Sequence, residues 1–167
     1  MIPAGNCRTS SLGPITLPSV IICSSSDETC EQGQKLGKIL QKGDIVALTG
    51  PLGAGKTCFA RGIALGVGVN EEICSPTYSI VSEHRGFSSN GNVIFYHIDA
   101  YRLRGDDDFI NIGGEEILFT DGISVIEWSE RIPAFIPPYA YNVDIEIIED
   151  GKRLLKLYRD TLIQEKK

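Results

Sequence analysis

The stretch Ile45-Val46-Ala47-Leu48-Thr49-Gly50-Pro51-Leu52-Gly53-Ala54-Gly55-Lys56-Thr57 decides how the rest of the chain is read. Its first five residues form an apolar run of strand length, as expected of a central strand covered on both faces. The next eight follow the spacing Gly-x-x-x-x-Gly-Lys-Thr, and the segment Thr57 to Leu65 reads as a helix. Phe59 and Ile63, with Ala60 beside them, face inward there, and Gly66 and Gly68 mark its end. A polyphosphate needs several donors converging on it without steric obstruction. Glycines 50, 53 and 55 let the backbone wrap an anion with its N–H groups turned inward. In such a strand–loop–helix unit Lys56 is placed to reach terminal phosphates and Thr57 to ligate Mg²⁺, while the helix start adds its positive end.

Working outward, Val20 to Cys23 is a short strand, followed by a helix capped by Ser26 or Asp27 with Leu36, Ile39 and Leu40 on one face and Gly43 at its end. Tyr78 to His84 and Val93 to Ile98 are strand-like runs separated by Gly86, Asn90, Gly91 and Asn92, which predicts an antiparallel pair. Asp106-Asp107-Asp108 favours a helix start, because carboxylates are stabilised by the positive helix N-terminus; Gly113-Gly114 interrupts that helix. A further strand, Ile123 to Ile126, leads into Glu127-Trp128. Val143 to Ile147 and Leu154 to Tyr158, joined through Asp150-Gly151, predict a hairpin at the sheet edge. Together these elements predict an α/β P-loop NTPase fold: a mixed, mainly parallel central sheet flanked by helices, with antiparallel strands at the edge and a C-terminal hairpin. Residues 20–160 are expected to form one domain, with 1–19 a flexible N-terminal extension and 161–167 a tail.

The chain's 167 residues suit a single domain with a sizeable core. A net charge of -6 opposes direct contact with a phosphate backbone, so nucleic acid is expected to be reached through a partner. No apolar run approaches the roughly 20 residues of a membrane span. The five cysteines include no CxxC pair and are odd in number, which indicates neither a zinc site nor a complete disulfide framework. A reducing, cytoplasmic setting is expected. Residues 1–26 carry no acidic side chain and are rich in Ser, Thr and Pro, a weak likeness to an organellar transit segment; a plain N-terminal extension is the simpler reading.

Hydrolysis of a bound nucleotide also needs acidic groups at the carboxyl ends of strands beside the P-loop strand. Asp99 ends the run Val93 to Ile98 and Glu127 ends Ile123 to Ile126, so both are candidates to hold a metal or orient water. Ser75-Pro76-Thr77 lies where a mobile segment would bring a hydroxyl to the metal and γ-phosphate. His84 and His97 read as strand histidines with ordinary hydrogen bonds, and Arg102 and Arg104 as surface arginines.

The ordered set of the P-loop, Ser75-Pro76-Thr77-Tyr78, His97-Ile98-Asp99-Ala100-Tyr101-Arg102-Leu103, Ile112-Gly113-Gly114-Glu115-Glu116 and Ile126-Glu127-Trp128 closely resembles the TsaE (YjeE) family over about residues 26–158. The resemblance implies an ATPase subunit for tRNA threonylcarbamoyladenosine biosynthesis, with ATP and Mg²⁺ as cofactors. Its implied partners are threonylcarbamoyl-transferase subunits of the TsaD and TsaB type, with tRNA reached indirectly through them. By the same resemblance, Lys56 and the loop residues Pro51, Leu52, Gly53, Ala54, Gly55, Thr57 and Cys58 hold phosphates, the N–H donors coming from every one of them but Pro51, and Thr57 and Glu127 serve Mg²⁺. Asp99 orients or activates the attacking water, Thr77 belongs to a switch-like loop, and the His97 to Arg102 block shapes the site and its partner contact. Trp128 has two readings, an aromatic beside the nucleotide or a buried ring fixing the strand end. Cys58 departs from the family's usual second Thr, which puts a side-chain contact to the α-phosphate in doubt. A small nucleoside or metabolite kinase is the alternative, weakened by the acidic, glycine-interrupted segment 105–118 where a lid would carry arginines. A GTPase-like switch ranks last, because no Asn-Lys-x-Asp run is present to read guanine.

Overall fold

A computed structural model describes residues 15–71, 73, 79–88 and 91–159. Its elements run β1 (Ser19–Cys23), α1 (Ser26–Gly37), β2 (Ile45–Thr49), α2 (Lys56–Val67), β3 (Val81–Ser88), β4 (Gly91–Asp99), α3 (Asp106–Asn111), α4 (Gly114–Leu118), β5 (Ile123–Glu127), β6 (Tyr141–Ile147) and β7 (Arg153–Arg159). The strands form one seven-stranded sheet in the order β1-β7-β6-β2-β5-β4-β3. The central strands β6, β2, β5 and β4 are mutually parallel. β3 pairs antiparallel with β4, and β7 with β6, so the mixed, mainly parallel sheet expected from the sequence is present. The 69–71, 73 and 79–80 positions flank the segment that held Ser75, Pro76, Thr77 and Tyr78, which lies outside the described residues.

Several local readings shift. The hairpin β6–β7 does not end the sheet: β1 pairs antiparallel along the outer side of β7, from Ser19 opposite Leu157 to Cys23 opposite Arg153. The cap of α1 is Ser25 rather than Ser26 or Asp27, its hydroxyl accepting the Glu28 N–H at 3.1 Å. That helix also stops at Gly37, where the Lys38 N–H turns back to Gln34 and Leu36 carbonyls. Ile39 therefore lies beyond the helix and is exposed, whereas Leu36 and Leu40 are buried. Gly66 sits inside α2, and Gly68, in the left-handed region at φ 87°, provides its stop. Gly113, at φ 71°, separates α3 from α4.

Each face of the sheet has its own core. α1 and α2 cover one face, where Leu36, Phe59 and Ile63 pack against Val46, Leu48, Phe95, Val125 and Val143. The other face is covered by α3, α4 and the turns around them, where Phe109, Leu118 and Ile132 meet Ile45, Ile98 and Ile126. Alternation along β2 and β5 sends successive side chains to opposite cores, which is why both read as unbroken apolar runs. α1 and α2 approach so closely that a Cβ on Gly33 would meet the Phe59 carbonyl oxygen and one on Gly62 the Cys30 carbonyl oxygen.

Candidate functional site

Parallel neighbours end on the same edge of a sheet, and here that edge carries the candidate residues. β5 lies directly between β2 and β4, with Leu48 and Asp99 both in register with Glu127. The P-loop leaving β2 thus emerges beside Glu127 and, one strand further, Asp99. Gly50, Gly53 and Gly55 take φ values of 138°, 76° and 106°, a region open to glycine at little cost. Gly50 has a second constraint, since a Cβ there would strike the Ile145 carbonyl oxygen of β6.

These elements enclose a cavity of about 560 Å³ bordered by Leu52, Gly53, Gly55, Lys56, Thr57, Asp99, Glu127 and Trp128, with Tyr101 and Arg102 on its rim. Lys56 is buried and its ammonium donates to the Gly50 and Pro51 carbonyls at 2.6 and 2.9 Å. The same ammonium lies 3.6 Å from the centre of the Trp128 ring. Burial pushes Lys56 below the usual lysine range, while the Glu127, Glu130 and Asp99 carboxylates pull the other way. Trp128 reaches this place through a left-handed backbone, φ 59° and ψ 40°, immediately after β5. For a non-glycine residue that conformation costs of order 1 kcal/mol and persists where surroundings enforce it. Its ring packs on Tyr101 with centroids 4.9 Å apart, so it both flanks the cavity and fixes the strand end.

Thr57, Glu127 and His97 form one hydrogen-bonded chain. The Thr57 hydroxyl donates to Glu127 Oε2 at 2.9 Å, and Glu127 Oε1 lies 2.8 Å from His97 Nε2. Glu127 is 2% exposed and His97 fully buried, so the imidazole is what makes a carboxylate tolerable at this depth. Among the described residues, His97 Nδ1 has no hydrogen-bond partner. Asp99 Oδ1 accepts the Tyr101 N–H at 3.1 Å, capping the short turn that follows β4. His84 keeps to surface bonds, with Glu71 at 3.0 Å and Ser82 at 3.2 Å.

The structure therefore brings Leu52, Gly53, Gly55, Lys56, Thr57, Asp99, Glu127 and Trp128 to one cavity. Pro51 does not line it, and its carbonyl receives the Lys56 ammonium. The Ala54 side chain is buried in the α1–α2 core. Cys58 faces away, into a second cavity of about 270 Å³ on the other side of the loop, shared with Ser24, Ser25, Ser26, Gly53 and Gly55. Arg153, from β7, closes that side: its guanidinium donates to the Ala54 carbonyl at 2.9 Å, the Gly53 carbonyl at 3.2 Å and the Gly151 carbonyl. Sequence reasoning passed over Arg153, His97 as the partner of Glu127, and the three serines. For Arg153 no local signal existed, because its contacts with the loop carbonyls lie 99 and 100 residues away.

A family model described as threonylcarbamoyl adenosine biosynthesis protein TsaE matches residues 23–155. A Treponema pallidum protein named tRNA threonylcarbamoyladenosine biosynthesis protein TsaE is 39% identical over 132 residues, covering 79% of this chain and 94% of that protein. A Rickettsia felis protein of the same name is 34% identical, covering 83% of this chain and 78% of that one. The crystal structure of Bacillus subtilis YdiB superimposes with a TM-score of 0.66 over 90% of each chain at 24% identity, a likeness of fold.

Proposed function

This chain belongs to the TsaE family, whose members serve tRNA threonylcarbamoyladenosine biosynthesis, and from that premise we propose that it is the pathway's Mg²⁺-dependent ATPase subunit. In this reading it hydrolyses ATP to ADP and phosphate, weakly by itself, in concert with threonylcarbamoyl-transferase subunits of the TsaD and TsaB type. The tRNA is reached through those partners, in keeping with a net charge of -6. The observation that carries the proposal is the single cavity onto which the P-loop, Thr57, Asp99 and Glu127 open.

The backbone N–H groups of the loop from Leu52 to Cys58, at the start of α2, would hold the phosphates. Lys56 would exchange its bonds to the Gly50 and Pro51 carbonyls for the terminal phosphate, with Trp128 beneath its ammonium. Hard oxygen donors suit Mg²⁺, and the Thr57 hydroxyl and Glu127 carboxylate, in contact at the cavity wall, are the residues that would hold it. When bound, the ion supplies neutralisation of charge on the phosphate oxygens. His97 would keep Glu127 oriented, and Asp99 would orient the attacking water. Thr77, outside the described residues, is assigned to a switch-like loop. The serine-lined cavity behind the loop, with hydroxyls and the Arg153 guanidinium, would receive the nucleoside end.

The test is phosphate release from ATP by the full chain, alone and with its transferase partners, with tRNA modification followed in parallel. Release and modification that both require the partners and ATP support the proposal. Modification that proceeds at full rate without this chain, or phosphate transferred to a small-molecule acceptor instead of water, overturns it.

A further inference from the structure

Arg153 is the first residue of β7, a strand that runs against β6 and so begins at the edge where the parallel strands end. Register puts it opposite Cys23 of β1 and Ile147 of β6. Its side chain leaves the sheet on the face that Leu155 and Leu157 share, toward the P-loop. There its Nε donates to the Ala54 carbonyl at 2.9 Å, one terminal nitrogen to the Gly53 carbonyl at 3.2 Å, and the other to the Gly151 carbonyl. Among the described residues no carboxylate pairs with it, so the guanidinium directs its charge to main-chain oxygens. Hydrogen bonds from an ionised donor are roughly twice as strong as neutral ones.

These bonds fall where the chain is freest to turn. Gly53 and Gly55, at φ 76° and 106°, flank the two peptide units on either side of Ala54, and without a Cβ there those units can turn over at little steric cost. A trans peptide points its N–H opposite to its C=O. Holding the Ala54 carbonyl therefore turns the Gly55 N–H away from Arg153. Holding the Gly53 carbonyl likewise turns away the Ala54 N–H, which meets the Pro51 carbonyl at 3.1 Å. Arg153 borders the serine-lined cavity behind the loop and not the larger cavity in front of it, whereas Gly55 borders both. We propose that Arg153 is a positioning residue: by gripping two successive carbonyls from behind, it sets the sense of the loop peptides and keeps the Gly55 N–H turned toward a bound phosphate chain. The electrostatics have the matching sign, because a cation against the carbonyl ends leaves the positive N–H ends of those peptide dipoles facing the anion. The Gly151 contact anchors the same guanidinium to the turn between β6 and β7.

The effect on phosphate binding rests on the function proposed above, whereas the ordering of the loop does not, so each has its own readout. Backbone amide relaxation of the full chain by NMR, without nucleotide, reads loop order in the parent, Arg153→Gln and Arg153→Lys. Gly53, Ala54 and Gly55 are expected near the rigid-backbone order parameter of about 0.85 in the parent and below about 0.6 in Arg153→Gln, with β2, β5 and α2 unchanged. ATP affinity, titrated calorimetrically in magnesium buffer, is expected to fall about tenfold in Arg153→Gln, the scale of one lost hydrogen bond to a charged group. Arg153→Lys keeps the charge but not the planar fork, so its affinity should stay several-fold below the parent's, and it carries the same comparison where Arg153→Gln fails to fold. Parent-like loop order in Arg153→Gln overturns the positioning role, and a fall in affinity without loosening would mark direct contact with the nucleotide instead. A loosened loop that binds ATP as tightly as the parent overturns the control of phosphate binding. Parent-like affinity in Arg153→Lys would show that charge alone acts, against the role of the fork. Absence of ATP binding by the parent refutes the function proposed above, while relaxation still decides whether Arg153 orders the loop.

Discussion

Gly62→Ala is the sharpest test of how the P-loop helix is held. A Cβ at position 62 would fall on the Cys30 carbonyl oxygen and crowd the Gln34 backbone nitrogen, both main-chain atoms of α1. No rotamer change relieves a backbone contact, so α1 and α2 must separate. Forcing an extra carbon into a packed core costs about 1–3 kcal/mol, and this site belongs at the upper end. Alanine returns about 1 kcal/mol through its better helix propensity. The net expectation is a loss of about 2 kcal/mol. At roughly 2–4 °C per kcal/mol for a chain of this size, the thermal midpoint falls by about 4–8 °C. Gly105→Ser is the control: nothing lies within 4 Å of a Cβ there and the backbone is extended at φ 164°, so its midpoint stays close to the parent's. Differential scanning calorimetry and urea unfolding read both variants. A Gly62→Ala midpoint equal to or above the parent's would refute backbone-level packing of α1 on α2.

The remaining predictions concern the cavity. Lys56→Ala is expected to abolish ATP binding in a fluorescence titration; retained affinity would show that the loop amides suffice. Asp99→Ala should leave that affinity largely intact while slowing phosphate release, and an unchanged rate would remove Asp99 from the chemistry. His97→Leu deprives the buried Glu127 carboxylate of its imidazole partner and should cost about 2 kcal/mol in urea unfolding, the scale of a hydrogen bond to a charged group. Alkylation of Cys58 by iodoacetamide should rise as pH increases through about 7, since the thiolate is the nucleophile. Because the Cys30 hydrogen bond is the largest cause of that lowering, Cys30→Ala should move the midpoint upward; a midpoint that stays put would contradict the pairing.

The strand–loop–helix unit was legible because its signals are local: an apolar run, glycines at positions of positive φ, and a helix with Phe59 and Ile63 on one face. Ser24-Ser25-Ser26 offered three equivalent hydroxyls, and only the backbone decides which one caps α1. Gly43 looked like the end of α1, yet the helix stops at Gly37, where tight contact with Ile63 and Gly66 leaves no room for a side chain. That contact did have a sequence signal: glycines four apart in both helices, Gly33 with Gly37 and Gly62 with Gly66, share a face. The outer position of β1 had none, since which strand pairs with β7 is settled by long-range register. His97 was legible as a strand residue, but its bond to Glu127 depends on β4 and β5 being neighbours.

Topology explains why so few residues suffice to build this cavity. β2, β5 and β4 are parallel and adjacent, so the residues following each strand arrive at one edge whatever the loops between them do. Asp99 and Glu127 are positioned by register alone, and the P-loop by the strand it leaves. What register cannot provide is rigidity of the loop, and two further contacts supply it from the far side. The Arg153 guanidinium grips the Gly53 and Ala54 carbonyls from β7. Cys58 ties the first turn of α2 to α1 through the Ser26 carbonyl, which accepts its thiol at 3.0 Å. A serine or threonine at position 58 would keep a hydrogen bond to the Ser26 carbonyl. Cys58→Thr is therefore expected to unfold in urea within about 1 kcal/mol of the parent, and a larger loss would show that a hydroxyl cannot replace the thiol at this contact.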